Sequence, residues 1–407
     1  MENVNLEYRR YAALEITSKA VKLVYGFVQK ELVYVLYAGE ASVDALVGGQ
    51  LVNSDVLTAA IRNVIDDCSI KMNIRLKEVI LVLPPMGLAF GKQPRTTNTI
   101  SPDNKIVQID IENAISLLRK ASFGPQLQII DVIPYRYVLD NQEIYTEPPI
   151  GKISSSLSVQ ATLYALEPKT INSYVDAVEK ASLKVRRCVI APFASSLYFK
   201  NIDYIPSRYL LLNIGAKITT LSLIDNDTMI VQNACYSKGG DLITQALADK
   251  FNIPFKDAKM LKEKYGIQNP PSFRCLIYND LTLKDISDTI YEAIVPLIAS
   301  LRKTITSWFN QQDLKIPLVL TGGGTKLYGL STILEQELSL DCMDVTPYSF
   351  GARDKSYQNL LGAIKYADIY VPKRDEDSLI KVNLNRVGQQ EKQKNKQTIS
   401  YRIQDEL

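Results

Sequence analysis

The fold of this 407-residue chain is decided by one stretch, Leu318-Val319-Leu320-Thr321-Gly322-Gly323-Gly324-Thr325-Lys326-Leu327-Tyr328-Gly329-Leu330. A short apolar run, typical of a strand, stops at three glycines and resumes as an amphipathic segment typical of a helix. Because glycine has no Cβ, the backbone can approach a flat or charged ligand there, and the start of a helix offers N–H groups to an anion. The pattern predicts a nucleotide site, with a tight structural turn as the alternative.

Composition sets the class of protein. A chain that is 46% hydrophobic and 22% charged predicts a folded, soluble protein with more than one core, because single cores stop growing near ~250–300 residues. The net charge of +3 argues against nucleic acid as a partner. The absence of histidine excludes imidazole catalysis and histidine-ligated metals. The five cysteines form no C-x-x-C pair, and neither a signal peptide nor a membrane-spanning apolar run is recognisable, so we expect a cytoplasmic protein.

The same order of elements recurs in two halves of the chain. Residues 11–38 and 209–234 each alternate like three strands joined by turns, and amphipathic helices follow both. The first helix, predicted for residues 54–73 with Ser54 as its cap, has an inward face formed by Val56, Ala60, Ile61, Val64 and Ile65. Residues 86–166 have a different sequence pattern, with one amphipathic helix among alternating strands. This pattern predicts a small α+β insert with strands at 127–133, 137–139 and 155–164. The insert helix, capped by Asp110, is predicted to bury Ile111, Ala114, Ile115, Leu117 and Leu118.

Several motifs make residues 10–371 resemble the FtsA family of bacterial actin-like cell-division proteins. The segment 321–327 resembles the adenosine loop of the actin and sugar-kinase fold, and 359–363 resembles its second connecting helix. The turn Lys238-Gly239-Gly240-Asp241 resembles the Gly-Gly-Asp of that fold, and Lys262 with Tyr265-Gly266 its ribose-contacting helix. The segments 132–140 and 190–196 resemble passages that separate FtsA from MreB, actin and chaperone ATPases. The pilus-assembly ATPase PilM shares the insert and is the nearest competing family.

The resemblance implies an α/β, actin-like (ribonuclease-H-like) two-lobed ATPase fold with an FtsA-type α+β insert subdomain. Subdomain 1A is expected to comprise residues 1–83, 167–195 and 355–372, and the insert, 1C, residues 84–166. Subdomain 2A is expected at 196–237 and 311–354, and the helical subdomain 2B at 238–310. Residues 373–407 are rich in charge and glutamine, and we expect a disordered tail there.

The resemblance also implies a site for ATP or ADP between the two lobes. The residues expected to contact it are Glu15, Ser18, Lys19, Gly215, Lys217, Thr219, Gly239, Gly240, Asp241, Lys262, Gly322, Gly323, Gly324, Lys326 and Gly362. No catalytic residue is assigned. A Mg²⁺ ion, where the site takes one, is expected to contact Glu15 weakly, through water.

The phosphate side of this site departs from the family pattern. In the first phosphate loop, Glu15 stands where the family has an aspartate that supports the Mg²⁺ water shell, and Thr17 stands where it has glycine. A longer carboxylate fits the tight octahedral geometry of Mg²⁺ poorly, and a Cβ crowds a phosphate. In the second loop, Asn213 and Thr220 replace acidic residues, and in the ribose helix Lys259 replaces a glutamate. The adenosine side is intact, so we expect nucleotide binding with weak or absent hydrolysis.

Two interpretations of Lys217, in the second loop, stay open. Its ammonium replaces part of the missing Mg²⁺ charge beside a phosphate, or it is a solvated lysine in a site that has drifted.

Three functional hypotheses follow. By resemblance, the protein forms actin-like filaments with itself and recruits the tubulin-like protein FtsZ through 2B, at the inner face of the cell membrane at the division site. The alternatives are a PilM-like adaptor and an actin-like ATPase driven by nucleotide turnover. FtsZ docking is weakened by one departure, because Asp288-Thr289-Ile290 occupies the place of a family Glu-x-Arg whose arginine meets the FtsZ tail.

Membrane attachment is the other departure from the family, which ends in a basic amphipathic helix. Here Ile399, Tyr401 and Ile403 alternate with period two, and Asp405 and Glu406 are acidic. An interfacial helix needs a wide apolar face at period 3.6 and cationic flanks. Either the tail binds a protein partner as an added strand, or membrane association is peripheral at most.

A peptide of residues 385–407 is therefore expected to stay unfolded on anionic vesicles, because its acidic end is repelled and only a narrow apolar stripe can be buried. Circular dichroism and vesicle co-sedimentation measure this, with full-length and tail-deleted protein compared in the same assay. Helix formation together with co-sedimentation would restore ordinary membrane anchoring.

Overall fold

The computed structural model describes residues 8–44, 46–47, 50–51, 54–124, 126–268, 276–278, 280–309 and 316–371. The predicted tail, 373–407, lies outside the described residues.

The first lobe begins with an antiparallel three-strand meander, followed by a helix and a parallel strand. Its elements are β1 (Arg10–Ile16), β2 (Ala20–Gln29), β3 (Leu32–Ser42), β4 (Leu46–Val47), β5 (Gln50–Leu51), α1 (Ser54–Met72) and β6 (Glu78–Leu83). Strand β6 pairs parallel to β1 and is buried from Val79 to Leu83, as expected of a central strand.

The insert follows as a separate sheet with one helix packed on it. Its elements are β7 (Ala89–Asn98), α2 (Gln108–Arg119), β8 (Gln128–Leu139), β9 (Ile144–Tyr145) and β10 (Ser156–Leu166), in the sheet order β7-β10-β8-β9. A core of its own forms between α2 and the sheet and includes Ile111, Leu118 and Leu163. Strand β7 was not predicted. The two strands predicted at 127–133 and 137–139 are one strand, because a register shift beside Tyr135 lets β8 continue past Pro134.

The chain then returns to the first lobe through α3 (Pro168–Lys180), β11 (Lys184–Ile190) and α4 (Ala191–Phe199). The first sheet is complete in the order β11-β6-β1-β2-β3. The predicted boundary between subdomains at 195/196 falls inside α4, which is buried along its whole length. The subdomain division remains a proposal.

The second lobe repeats the meander and adds helices. Its elements are β12 (Tyr209–Ile214), β13 (Thr219–Asp225), β14 (Met229–Tyr236), α5 (Gly240–Phe251), α6 (Phe255–Tyr265), β15 (Leu276–Tyr278), β16 (Leu281–Thr282), α7 (Leu283–Trp308), β17 (Leu318–Thr321), α8 (Leu330–Leu338) and β18 (Cys342–Asp344). The sheet order β14-β13-β12-β17-β18 matches the first lobe in its meander and parallel neighbour, which confirms the predicted actin-like α/β architecture.

Two predicted inward side chains are exposed. Val56 is 54% exposed and Leu117 is 45% exposed. In α1, Leu57 occupies the buried position of the first turn, and the buried stripe continues through Ile61 and Val64. Errors of one position arise because, within a single turn, either of two consecutive residues can be assigned to the buried face of a helix with a period of 3.6 residues.

The last helix, α9 (Gln358–Tyr370), crosses α4 and packs against the sheet of the first lobe. A Cβ built on Gly362 would lie 1.7 Å from the carbonyl oxygen of Ala194, so the two helix backbones touch there. Only glycine permits that approach. The segment 359–363, which resembles the second connecting helix of the actin and sugar-kinase fold, therefore makes its close contact with α4.

Gly362→Ala should lower the free energy of unfolding by roughly 1–3 kcal/mol or more, because α4 and α9 must move apart to admit the methyl group. Urea denaturation measures the change. The matched control is Gly323→Ala, since a Cβ at Gly323 meets nothing within 4 Å. Equal stability of the two variants would contradict the close crossing.

Candidate functional site

A cleft of about 670 Å³ lies between the two lobes, within the size range of small-molecule sites. Its walls are the turn between β1 and β2 (residues 17–19, the first loop), the turn between β12 and β13 (215–218, the second loop), the turn before α5, helix α6, and residues 321–326 (the glycine loop). The predicted site residues that line it are Glu15, Ser18, Lys19, Gly215, Gly239, Gly240, Asp241, Lys262, Gly322, Gly323, Gly324 and Lys326.

The three glycines of the glycine loop differ in what surrounds them. A Cβ on Gly322, whose φ is +85°, would lie 2.4 Å from Asn213 Oδ1, and one on Gly324 would lie 2.4 Å from Ile214 Cγ2. Both glycines therefore let the loop pack against the end of β12. Gly323 is exposed, lines the cleft and has open space where a Cβ would point. Gly323 is thus the position where the backbone is open to a ligand.

The glycine loop does not begin a long helix directly. Residues Gly323–Lys326 form a 3-10 turn, and α8 begins only at Leu330. Lys326 Nζ lies 2.6 Å from Asp354 Oδ2. Burial alone would raise the pKa of Asp354, but Lys326 and Ser356 lower it to about 2. This ion pair fixes the cleft edge between the glycine loop and the segment before α9.

Glu15 is a buried residue of the cleft lining, and its carboxylate already accepts a hydrogen bond from another side chain. Its Oε1 accepts a hydrogen bond of 2.6 Å from Asn359 Nδ2, and Ser195 Oγ donates to the side-chain oxygen of Asn359. Burial raises the pKa of Glu15, and Asn359 and Lys22 offset only part of that rise. A carboxylate that resists ionisation and is held by an amide supports a Mg²⁺ water shell poorly.

Lys22 was missed by sequence reasoning, and its positive charge acts on the carboxylate of Glu15. Its side chain is buried, lines the cleft, lies 3.3 Å from Glu40 Oε2 and donates to Ser356 Oγ. The ammonium also lies 4.9 Å from the centre of the Tyr357 ring. A lone lysine within the apolar strand β2, two residues from Ala20 on the same face, is the signal that could have identified it.

The first and second loops are joined by ion pairs. Lys19 Nζ lies 3.1 Å from Asp44 Oδ2 and 3.3 Å from Asp241 Oδ2, and Lys217 Nζ lies 2.6 Å from Asp44 Oδ1. Thr17 does not project freely, because its hydroxyl donates to the carbonyl of Ala20 within its own turn. Asp44 follows β3 and carried no motif, so it could not be predicted from the sequence.

The side chain of Lys262 forms hydrogen bonds with residues of the neighbouring helix α5. Its Nζ donates to the Gly240 carbonyl at 3.0 Å and to Thr244 Oγ1 at 2.9 Å. Burial lowers the pKa of this lysine. The ammonium of Lys262 therefore stabilises the first turn of α5 at this wall of the cleft.

Three predicted site residues do not line the cleft. Lys217 lines a neighbouring depression instead. Thr219 is fully buried, and its hydroxyl donates to the Lys238 carbonyl at 2.7 Å. Gly362 lies in the crossing of α4 and α9. Their roles toward a nucleotide stay predictions.

The part of the chain that the structure describes shows neither a metal-ligand cluster nor a membrane-spanning helix. No group of three or more carboxylate, cysteine or histidine side chains comes together there as a metal site. Within the same residues, no helix is both long and apolar enough to cross a bilayer.

Two lobes of matching topology around a glycine-lined cleft define the actin-like class of nucleotide-binding folds. Within that class, the chain belongs to the family described as type IV pilus assembly protein PilM, whose sequence model matches residues 13–362.

Individual relatives agree with this class. The chain is 23% identical to cell division protein FtsA of Enterococcus faecalis (strain ATCC 700802 / V583) over 88% of this chain and 84% of that protein, which confirms the predicted resemblance to FtsA. The solved PilM-PilN type IV pilus biogenesis complex contains a chain that superposes with a TM-score of 0.60 at 20% identity, covering 89% of this chain and 98% of that one. MreB5 of Spiroplasma citri bound to ADP superposes with a TM-score of 0.51 at 12% identity, covering 89% and 97%.

Nucleotide affinity should depend only weakly on Mg²⁺, because Glu15 is buried and held by Asn359. Chelation with EDTA should cost less than about tenfold in affinity, or ~1.4 kcal/mol, measured by calorimetry with ADP. Glu15→Asp, which restores the shorter family side chain, is the matched variant and should increase the Mg²⁺ dependence. A loss of about a hundredfold on chelation of the unaltered protein would show that Glu15 organises a metal.

Proposed function

We propose that this protein is an actin-like assembly protein that holds adenine nucleotide, ATP or ADP, between its lobes and turns it over slowly or not at all. The observation that carries this proposal is the open backbone at Gly323 in a cleft lined by several lysines. A cleft of that charge suits a polyphosphate, and a Cβ-free backbone suits the flat adenosine.

We expect weak nucleotide turnover because the acidic side chains that support catalysis in the FtsA family are replaced here. Phosphoryl transfer depends on a positioned metal ion and a positioned nucleophile. The three positions that are acidic in the FtsA family hold Glu15, Asn213 and Thr220 here, and Glu15 is engaged by Asn359. The competing hypothesis, an ATPase driven by turnover, is separated from this one by measuring phosphate release from purified protein. Sustained release faster than that of a Gly323→Val control would support the ATPase.

The FtsA relatives suggest FtsZ as a partner, docked on the helical region 240–310 at the division site. The burial of one side chain argues against FtsZ docking at this place. Ile290, which stands where the family arginine meets the FtsZ tail, is fully buried in the core of the second lobe. Lys284 pairs with Asp288 at 2.6 Å, on the exposed side of the same helix turn. The surface chemistry for an acidic tail is therefore different here.

The alternative, a PilM-like adaptor, is favoured by the match of the PilM family over residues 13–362 and by the likeness to the chain in the PilM-PilN complex. The partner in this case is a PilN-type protein, and the chain takes part in a type IV pilus biogenesis complex. Binding of purified FtsZ and of a purified PilN-type protein from the same organism, each measured by calorimetry, separates the two. Binding of FtsZ alone would overturn the adaptor hypothesis.

Self-association is also part of the proposal. The insert exposes large apolar side chains, notably Ile100, Ile144 and Ile153, on an otherwise well-packed unit. Contiguous exposed apolar surface commonly marks an interaction site, and these three side chains are the candidates for such a surface on the insert. Sedimentation of the protein with and without nucleotide tests whether it forms filaments.

Gly323→Val should abolish binding of ATP and ADP and leave far-UV circular dichroism unchanged, because the added side chain points into the cleft and not into the protein. Calorimetry at millimolar nucleotide measures binding. Gly323→Ala is the graded control, since its smaller side chain enters the same open space and should weaken binding less. Failure of the unaltered protein to bind either nucleotide would refute the proposal.

A further inference from the structure

The insert meets the first lobe along strand β8, and an acidic side chain is buried at that contact. Asp131 is 2% exposed and lies between two apolar cores, because Val132 belongs to the core of the insert and Ile133 to that of the first lobe. Its Oδ1 accepts a hydrogen bond of 2.9 Å from the N–H of Val132. In the described part of the chain, its Oδ2 has no hydrogen-bond partner. A buried carboxylate oxygen without a partner is unfavourable, and native proteins contain few of them.

A guanidinium nitrogen on the neighbouring strand is also left without a partner. Arg187 lies on β11, which contacts β8, and its Nε is buried with no hydrogen-bond partner among the described residues. The positive charge of Arg187 acts on Asp131, although these two atoms do not meet. Strand pairing is irregular beside both residues, with register shifts between Tyr164 and Ala165 in β10 and between Val185 and Arg187 in β11. Irregular pairing of this kind lets strands bend locally.

The ionisable groups that interact with Asp131 come from four neighbouring elements. They are Arg119 on α2, Tyr164 on β10, Arg187 and Cys188 on β11, and Tyr366 and Tyr370 on α9. Burial raises the pKa of the three phenols and of the thiol, so these four groups are uncharged near neutral pH. Burial also raises the pKa of Asp131 to about 6, and Tyr366, the N–H of Val132 and the two arginines offset only part of that rise.

We propose that Asp131 and Arg187 form a proton-dependent switch that sets the position of the insert on the first lobe. With the carboxyl group neutral, the insert keeps the position seen here, in which Oδ2 and Nε are both without partners. With the carboxylate ionised, an unpaired buried charge is strongly unfavourable, and β8 and β11 move together until the two side chains form an ion pair.

This switch acts on the insert and not on the nucleotide cleft. Neither Asp131 nor Arg187 is among the residues that line the cleft. The exposed side chains of Ile100, Ile144 and Ile153, in contrast, belong to the insert. A change in the position of the insert moves these side chains relative to the first lobe, which links the proposed self-association to pH. The inference does not depend on nucleotide binding.

The first test measures the linkage between folding and proton binding. Because the folded protein raises the pKa of this carboxyl group, the stability that the group contributes is present at low pH and is lost as the pH rises through about 6. Asp131→Asn keeps an uncharged side chain of the same shape. The ratio of its folding constant to that of the unaltered protein should therefore increase about tenfold between pH ~5 and pH ~7.5, measured by urea denaturation.

Asp103→Asn is the matched control, because Asp103 is an exposed carboxylate of the same insert. Ser101 and Lys105 hold its pKa at about 2, so it stays ionised over this pH range. The corresponding ratio for the control should not change with pH.

The second test detects the movement. Amide hydrogen exchange in β8 and β11, corrected for the intrinsic effect of pH, should differ between pH ~5 and pH ~7.5 in the unaltered protein. Asp131→Asn should show the low-pH pattern at both values. Arg187→Gln should remove the pH-dependent change in exchange while the carboxyl group still titrates, because the ionised carboxylate then has no guanidinium to pair with.

The outcomes separate this inference from the proposed function. An unchanged folding ratio for Asp131→Asn would show that the carboxyl group does not titrate in this range and would overturn the switch. A changed ratio with the same exchange pattern at both pH values would overturn it as well, because the group would then titrate without moving the insert. Failure to bind ATP and ADP would refute the nucleotide site alone, since neither residue of the switch lines the cleft.

Discussion

The contact between Gly362 and the carbonyl of Ala194 is the constraint on which the rest of the structure depends. It brings α9 against α4 at backbone distance, and α9 then packs on β1, β2 and β6 of the first sheet. At the start of the same helix, two consecutive amides serve different lobes. Gln358 accepts a hydrogen bond from Thr321 at the end of β17, while Asn359 donates to Glu15 at the end of β1. The ends of β17 and β1, which form part of the cleft, are therefore both bonded to the first turn of α9. The position of α9 depends in turn on Gly362, because only a residue without a Cβ permits the close crossing with α4.

This arrangement holds the shape of the cleft without the acidic residues that the FtsA family has in its two phosphate loops. Asn359 donates a hydrogen bond to Glu15, and the buried side chain of Lys22 lines the cleft. Asp44 forms ion pairs with one lysine from each of the two loops. Among these contacts, the ion pair between Asp44 and Lys217 connects the two lobes directly. Holding the lobes does not require turnover, because ion pairs and hydrogen bonds provide the connection in either case. The loss of acidic residues from the two loops is thus compatible with an intact fold.

Much of the architecture could be predicted from the sequence, because strand alternation, helix periodicity and glycine positions act locally. The repeated meander, helix α1 and the glycine loop all follow from such signals. The failures have local causes as well. Pro134 predicted a break in β8, but a bulge beside it absorbs the missing hydrogen bond. Val56 and Leu117 fit the helical period and yet point outward, because the period does not fix the stripe to within one residue.

The site was less predictable because its decisive contacts join residues far apart in the chain. Asp44 and Lys217 are separated by 173 residues, and Glu15 and Asn359 by 344. No spacing rule connects such pairs, and only the fold brings them together. The glycines illustrate the same point in one motif. Gly322 and Gly324 are glycines because β12 leaves no room for a Cβ, and Gly323 is the one that is open to the cleft. Identical letters in one loop therefore serve packing at two positions and access at the third, and the difference depends on the neighbouring strand.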